Sequence, residues 1–238
     1  MKKPAPELPA PPQLRAKPFM KLDDERGRIR LTARQREQLM RIGTRLRLPA
    51  RMTVYEEDSA ANAVYAVTEG AVKAYRELPS GKRSLCAFLF ARDLFGLAEQ
   101  GRYVNTTQTI TASTIYRLPV EQLAEILRHD SELQFQFLLK VTHELRESHR
   151  RAVIINRKDA AGRLAMFIAL MHDRQSEGDC RVLLPMSRSD MAAFLGLSLE
   201  SVSRAAAELE RRGLVKFEGR HSALIVDPSR MAKLVAAV

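Results

Sequence analysis

The spacing of apolar positions changes several times along this chain, and each change predicts a different kind of element. Residues 4 to 18 show no period: six of the eleven prolines fall there, in a run that includes Pro4-Ala5-Pro6-Glu7-Leu8-Pro9-Ala10-Pro11-Pro12. Such a run favours extended backbone and cannot hold a helix, so residues 1–30 are read as a disordered, basic leader. Helical spacing begins at Thr32, a cap ahead of Ala33 to Met40, with Leu39, Ile42 and Leu46 expected on one face. From residue 48 to 119 the pattern is one of short strands: Met52–Tyr55, Ala63–Thr68, Ala71–Glu77, Ser84–Phe90, Thr107–Ala112 and Thr114–Leu118. Glu69-Gly70, Pro79-Ser80-Gly81 and Gly96 supply turns between them, which predicts a small sandwich or roll.

After Pro119 the helical period returns. Leu138, Val141, Leu145, Ser148, Ala152 and Ile155 step alternately by three and four, flanked by Glu144, Arg146, Glu147, Arg150 and Arg151, as in the seam of a coiled coil. A helix packed within one chain would carry a similar stripe. Length separates the two readings: a helix from Ser131 to Asn156 would be about 39 Å long at 1.5 Å per residue, more than a domain of this size needs. The stripe is therefore read as a homodimer interface. Ala160–Met171 predicts a further helix, and the polar stretch Asp173–Asp179 a linker.

The most informative segment follows. Ser187 and Asp190 are spaced as a capping box, Met191, Phe194 and Leu195 form the buried face of a short helix, and Gly196 supplies its left-handed end. Ser198 caps a second helix, Leu199–Arg212, with Val202 and Leu209 facing inward. Two short helices about a glycine turn make a helix-turn-helix, and Leu214–Phe217, Gly219-Arg220 and Ala223–Val226 read as the wing of a winged helix. Glu200, Ser203 and Arg204 share one face of the second helix. Arg204 can donate two hydrogen bonds to guanine, Glu200 can accept one from cytosine, and Ser203 can bond a base or touch a thymine methyl. Ser187, Arg188, Ser198 and Ser201 lie at helix N-termini, where hydroxyls and free amides suit phosphate oxygens. An intrahelical Glu200–Arg204 ion pair is the plainer alternative, worth only a few tenths of a kcal/mol.

Charge agrees with a polyanionic partner. The net charge of the 238 residues is +11, and residues 1–51 carry 14 basic against 5 acidic side chains, whereas residues 52–139 carry 8 against 11. The basic N-terminal quarter is read as a solvated tail and helix face. The longest apolar run, Leu164–Met171, is far below the roughly 18 residues of a membrane span, and no apolar stretch follows Lys2-Lys3 as a secretory signal would require. A cytoplasmic protein is expected. The two cysteines, Cys86 and Cys180, form neither a disulfide framework nor a zinc motif, so no metal site is expected. A metal-dependent oxygenase of the cupin kind would need histidines in the strand region, and His129, His143, His149, His172 and His221 all lie outside it. No Gly-rich phosphate loop, nucleophile elbow or paired catalytic histidine is present, which argues against an enzyme.

The segment Leu184-Pro185-Met186-Ser187-Arg188-Ser189-Asp190-Met191-Ala192-Ala193-Phe194-Leu195-Gly196-Leu197-Ser198-Leu199-Glu200-Ser201-Val202-Ser203-Arg204 resembles the DNA-binding signature of the Crp/Fnr superfamily, in its Fnr and FixK branch. The resemblance covers about residues 30 to 238 and implies, after the proline-rich leader (1–30), an α+β fold: a cyclic-nucleotide-binding-like β-roll or jelly roll (31–125), a long dimerisation helix (126–158) and a winged helix-turn-helix (159–238). It further implies a homodimeric transcription regulator that reads palindromic double-stranded DNA and acts through RNA polymerase. Glu-x-x-Ser-Arg at Glu200, Ser203 and Arg204 resembles readers of TTGAT-like half-sites, so a TTGAT-N4-ATCAA operator is expected. Leu199 stands where the cyclic-AMP receptor branch has Arg. The loop Leu78-Pro79-Ser80-Gly81-Lys82 resembles the family's polymerase-contacting region, though a plain hairpin turn would read the same way.

The same resemblance implies what the roll lacks. Cyclic-nucleotide members carry Gly-Glu and, about ten residues on, Arg-Ser; here Leu97 follows Gly96 and Thr106-Thr107 stand in place of Arg-Ser, with Arg102 the nearest cation. Oxygen-sensing members hold an iron-sulfur cluster on four cysteines, and haem-binding ones use a histidine in the roll. With neither set present, no cofactor is expected, and a FixK-like regulator controlled by its abundance is the simplest reading. The alternatives are a roll that binds an unidentified small molecule, or a redox switch at Cys180 or Cys86. Of these two thiols, Cys86 lies in an apolar strand and is expected to be inert.

Overall fold

A computed structural model describes residues 31–98, 100–175 and 180–236. The proline-rich leader lies outside the described residues. Helix α1 (Ala33–Ile42) starts at Thr32, whose side chain accepts from the Gln35 amide while the Gln35 side chain accepts from the Thr32 amide. It ends at Gly43, where a Cβ would come within 2.9 Å of the Leu39 carbonyl oxygen. This changes one expectation: Leu46 does not continue the α1 face but lies in strand β1 (Thr44–Leu48). The alternation Leu46-Arg47-Leu48 is a strand signal, and β1 gains its ladder only from pairing with β8, far away in sequence.

The roll consists of β1, β2 (Thr53–Tyr55), β3 (Ala63–Glu69), β4 (Ala71–Glu77), β5 (Arg83–Phe90), β6 (Leu94–Phe95), β7 (Thr106–Thr109) and β8 (Ser113–Pro119). They form two four-stranded antiparallel sheets, ordered β1-β8-β3-β6 and β2-β7-β4-β5. Two-residue β6 escapes sequence reading because so short a run carries no period. Strand β7 stops at Thr109, three residues before the expected end, and the chain turns there. Between the sheets lie Tyr55, Tyr65, Val67, Val72, Leu89, Phe95, Tyr103 and Ile115, all buried. The rings fill the interior: Tyr55 stacks on Tyr103 at 3.8 Å between centroids, and Tyr65 on Phe95 at 5.3 Å.

Helix α2 (Val120–His129) leads to α3 (Ser131–Asn156), whose limits are those the spacing predicts. The Asp130 carboxylate caps α3, accepting from the Leu133 amide at 2.8 Å, and also accepts from the Gln35 side chain of α1. Leu133, Phe137 and Lys140 are buried, whereas Leu138, Val141 and Leu145 are 59, 50 and 57% exposed. Helix α4 (Ala160–Gln175) continues past Met171 into the stretch read as a linker, of which residues 176–179 are not described.

The C-terminal unit comprises β9 (Arg181–Leu183), α5 (Arg188–Leu195), α6 (Leu199–Arg211), β10 (Val215–Phe217), β11 (Ser222–Ile225) and α7 (Pro228–Ala236). The wing is a three-stranded sheet ordered β10-β11-β9, one strand more than the sequence reading foresaw. Cys180, just past the stretch read as a linker, stands at the edge of this sheet. It is half-buried against the core, and its carbonyl accepts from the Ile225 amide at 2.9 Å. The core of this unit does not stop at its boundary: Tyr75, Leu85 and Phe88 of the roll belong to the same buried cluster.

Candidate nucleic-acid interface

Helix α5 is built as its sequence implies. The Ser187 hydroxyl accepts from the Asp190 amide at 3.0 Å and donates to the Asp190 carboxylate at 2.8 Å. Gly196 ends it at φ +63°, a left-handed conformation that glycine takes without a Cβ clash. At α6, the Ser198 Oγ accepts from the Ser201 amide at 3.1 Å. Val202, Ala205, Ala206 and Leu209 are buried and anchor α6 on α4 and α5, so its other face must point outward.

Glu200, Ser203 and Arg204 all lie on that outer face and are exposed. Among the described residues, Glu200 and Arg204 form no ion pair, so the intrahelical alternative is not realised. The Ser203 hydroxyl donates back to the Leu199 carbonyl at 3.0 Å. The phosphate candidates are less alike than their sequence positions suggest. Ser187 and Ser198 are engaged in caps, Ser201 sits beside Ser198 with their hydroxyls 3.0 Å apart, and Arg188 stacks its guanidinium 4.3 Å over the Phe217 ring of the wing. Arg188 thus ties α5 to β10, a contact no local pattern announces. On the wing, Lys216 and Arg220 are exposed.

Charges at the junction of the roll and this unit were not singled out from sequence. Lys73 of β4 donates to the Asp190 carboxylate at 2.6 Å, with side chains only 13 and 15% exposed. Burial alone would raise the Asp190 carboxyl, but hydrogen bonds from Lys73 and Ser187 outweigh it and hold it below the usual carboxylate range. A second cluster is deeper. Asp93, after β5, pairs with Lys140 of α3 at 3.1 Å and with Arg174 of α4 at 2.7 Å. Arg174 also donates to the Phe88 carbonyl at 3.0 Å. Burial opposes ionisation of Asp93, yet the two cations keep its carboxyl low.

In the roll, Thr107 is fully buried on β7, Tyr103 donates to the Ala63 carbonyl at 2.8 Å, and Arg102 donates outside the core to the Asp58 carbonyl. Burial raises the Tyr55 hydroxyl to about 12, as expected for a ring packed among rings. Burial likewise pushes the Cys86 thiol up, away from the reactive thiolate.

Residues 162–234 match the family of Crp-like helix-turn-helix domains, and residues 45–130 that of cyclic nucleotide-binding domains. The chain is 29% identical over 204 residues to the transcriptional activatory protein AadR of Rhodopseudomonas palustris, covering 84% of this chain and 85% of that protein. It is 29% identical over 219 residues to the nitrogen fixation regulation protein FixK of Bradyrhizobium diazoefficiens, covering 87 and 88%. The solved structure of FixK2 from Bradyrhizobium japonicum superposes with a TM-score of 0.77 at 29% identity, covering 83% of this chain and 99% of that one. With a nucleotide-domain-like roll, a long helix and a Crp-like reading head in this order, the chain belongs to the Crp/Fnr superfamily of transcription regulators, in its FixK-like branch.

Proposed function

We propose that the protein is a homodimeric, cytoplasmic regulator that binds a TTGAT-N4-ATCAA-like palindrome and acts through RNA polymerase without cyclic nucleotide, haem or iron-sulfur cofactor. The observation that carries this reading is the outer face of α6, where Glu200, Ser203 and Arg204 stand together, exposed, above a helix anchored from behind. Unpaired charge held on a rigid frame is suited to base edges in a major groove. Ser201 and the α5 and α6 N-termini meet phosphates, with Arg188 bracing the wing while its edge reaches the backbone.

Dimerisation is supported by the face of α3 that the monomer leaves open. Leu138, Val141 and Leu145 are exposed, Ser148 and Ala152 continue the line as small residues, and Ile155 closes it half-buried. Pairing two such helices would remove this apolar stripe from water and set the spacing of two reading heads. The roll supports independence from nucleotide, because rings occupy its interior and Thr106-Thr107 bring no cation. The loop Leu78–Lys82 closes the β4–β5 hairpin with Leu78 exposed, where a polymerase surface could reach it.

A second reading, gating by a small effector, is favoured by one feature: a cleft of about 460 Å³ at the junction, lined by Phe90, Asp93, Arg174, Leu183, Pro185 and His221. The two readings are separated by titrating ligand-free protein, at fixed salt, onto a TTGAT-N4-ATCAA duplex and a scrambled control, with sedimentation giving the mass. Selective binding as a dimer supports the cofactor-free regulator. Loss of selectivity removes it and leaves the effector reading.

A further inference from the structure

Two helices of the DNA-binding unit are tied to the roll by charge, at two separate points. The first is Asp93, which holds α4 through Arg174 and α3 through Lys140. The second is Lys73, which reaches from β4 to the carboxylate that caps α5. Strand alternation explains the reach: Ala71, Lys73 and Tyr75 share the face of β4 that looks out of the roll, and Tyr75 joins the core of the DNA-binding unit, while Val72 points into the roll interior.

The apolar contacts at this junction include Phe88, Phe167 and Phe194, with ring centroids 5.3 to 5.8 Å apart. Such contacts hold surfaces together without fixing their rotation, because the hydrophobic effect has no direction. A charge-assisted hydrogen bond of 2.6 Å does have one. A tie at Asp93 alone leaves the orientation about that point to packing, and a second tie at Asp190 limits any turn to the axis through the two. Asp190 stands one turn into the helix that leads through Gly196 to α6, so any swing at Asp190 is carried to Glu200 and Arg204. In the docked arrangement those two side chains are exposed, so the tie presents the reading face.

We propose that Lys73, a roll residue remote from the DNA-reading face, is a positioning residue for operator recognition: through Asp190 it sets the orientation of each reading head relative to the dimer helix. This rests on the homodimer and palindrome reading. A single head on a single half-site needs no such orientation, but two heads on one palindrome do, because simultaneous engagement depends on their relative geometry.

The test compares wild type, Lys73→Met and Lys73→Arg on two duplexes at one salt concentration, one with the full palindrome and one with a single TTGAT half-site. Thermal melting is followed for each. Lys73→Met is expected to lose about tenfold in affinity for the palindrome with the half-site affinity unchanged, and Lys73→Arg to restore most of the loss. Equal losses on both duplexes would show a damaged head rather than a misplaced one, and would overturn the proposal. So would no loss, or tighter binding, which would make the pair a restraint. If Lys73→Met does not fold at the assay temperature, Lys73→Gln replaces it with the same two outcomes. A wild type that does not prefer the palindrome to the half-site would remove the dimer reading, and the proposal with it, before any variant is compared.

Discussion

The outer face of α6 and the junction beneath α5 carry similar side chains in opposite circumstances. At the junction, Lys73, Asp190, Asp93, Lys140 and Arg174 are buried or nearly so, and each meets an opposite charge within 3.1 Å. On α6, Glu200 and Arg204 are exposed and unpaired among the described residues, although their spacing would allow a pair. Buried charge without a partner is costly, so the junction had to be satisfied from within the chain. Exposed charge is solvated at little cost and can wait for a partner outside it. On the proposed function, the difference separates side chains that hold this protein's shape from those that would read DNA.

The largest effect that would sharpen this contrast is expected at Asp93. Asp93→Ala removes the carboxylate that Lys140 and Arg174 share, leaving Lys140 the part-exposed Glu144 carboxylate at 2.6 Å, and should lower stability by about 3 kcal/mol in denaturant unfolding. A loss below about 1 kcal/mol would mean that the cluster behaves like a surface pair. Next comes Arg204→Ala, expected to cost about 1–3 kcal/mol of operator binding and to relax discrimination at one guanine, with stability unchanged. Equal weakening on operator and random DNA would move Arg204 from the bases to the phosphates.

A further effect concerns pH. Burial first, and then the neighbouring Lys140, push the His143 imidazole from 6.5 down to about 4, and its Nδ1 lies 3.0 Å from an Arg146 nitrogen as a neutral acceptor. Unfolded, the ring binds a proton below about pH 6.5, whereas folded it stays neutral down to about 4. The unfolded state therefore holds more protons across that window, and stability should fall as pH falls through it. His143→Gln should flatten this limb of the stability curve, and an unchanged slope would point to other groups. The smallest effect is Ser201→Ala, which should weaken all DNA sequences alike by a few tenths of a kcal/mol up to about 1 kcal/mol. A sequence-selective loss would place Ser201 at a base.

Much of this was legible in the sequence where the determinants are local. The Ser187 and Asp190 cap, the Gly196 turn, the Ser198 cap and the limits of α3 depend on neighbours a few residues apart, and each stands as the spacing implies. The exceptions have distant partners. Leu46 fitted a helix face until Gly43 broke the helix and β8 offered a ladder. Strand β9, three residues just past the polar stretch, carries no period of its own, and only pairing with β11 makes it a strand. Nothing local to Arg188 announces the Phe217 ring it stacks on, which lies 29 positions further along the chain.

By itself, then, the sequence determined the order of parts, the caps and glycine turn of the helix-turn-helix, and the outward face of its second helix. Helix caps, glycine turns and periodicity are short-range, and a motif survives being read one residue at a time. Only the tertiary structure decided that aromatic rings fill the roll, that Lys140 is buried, and that Lys73 meets Asp190 across 117 positions. Those outcomes depend on which distant surfaces share a core, because the cost of burying a charge depends on the partner that folding brings to it.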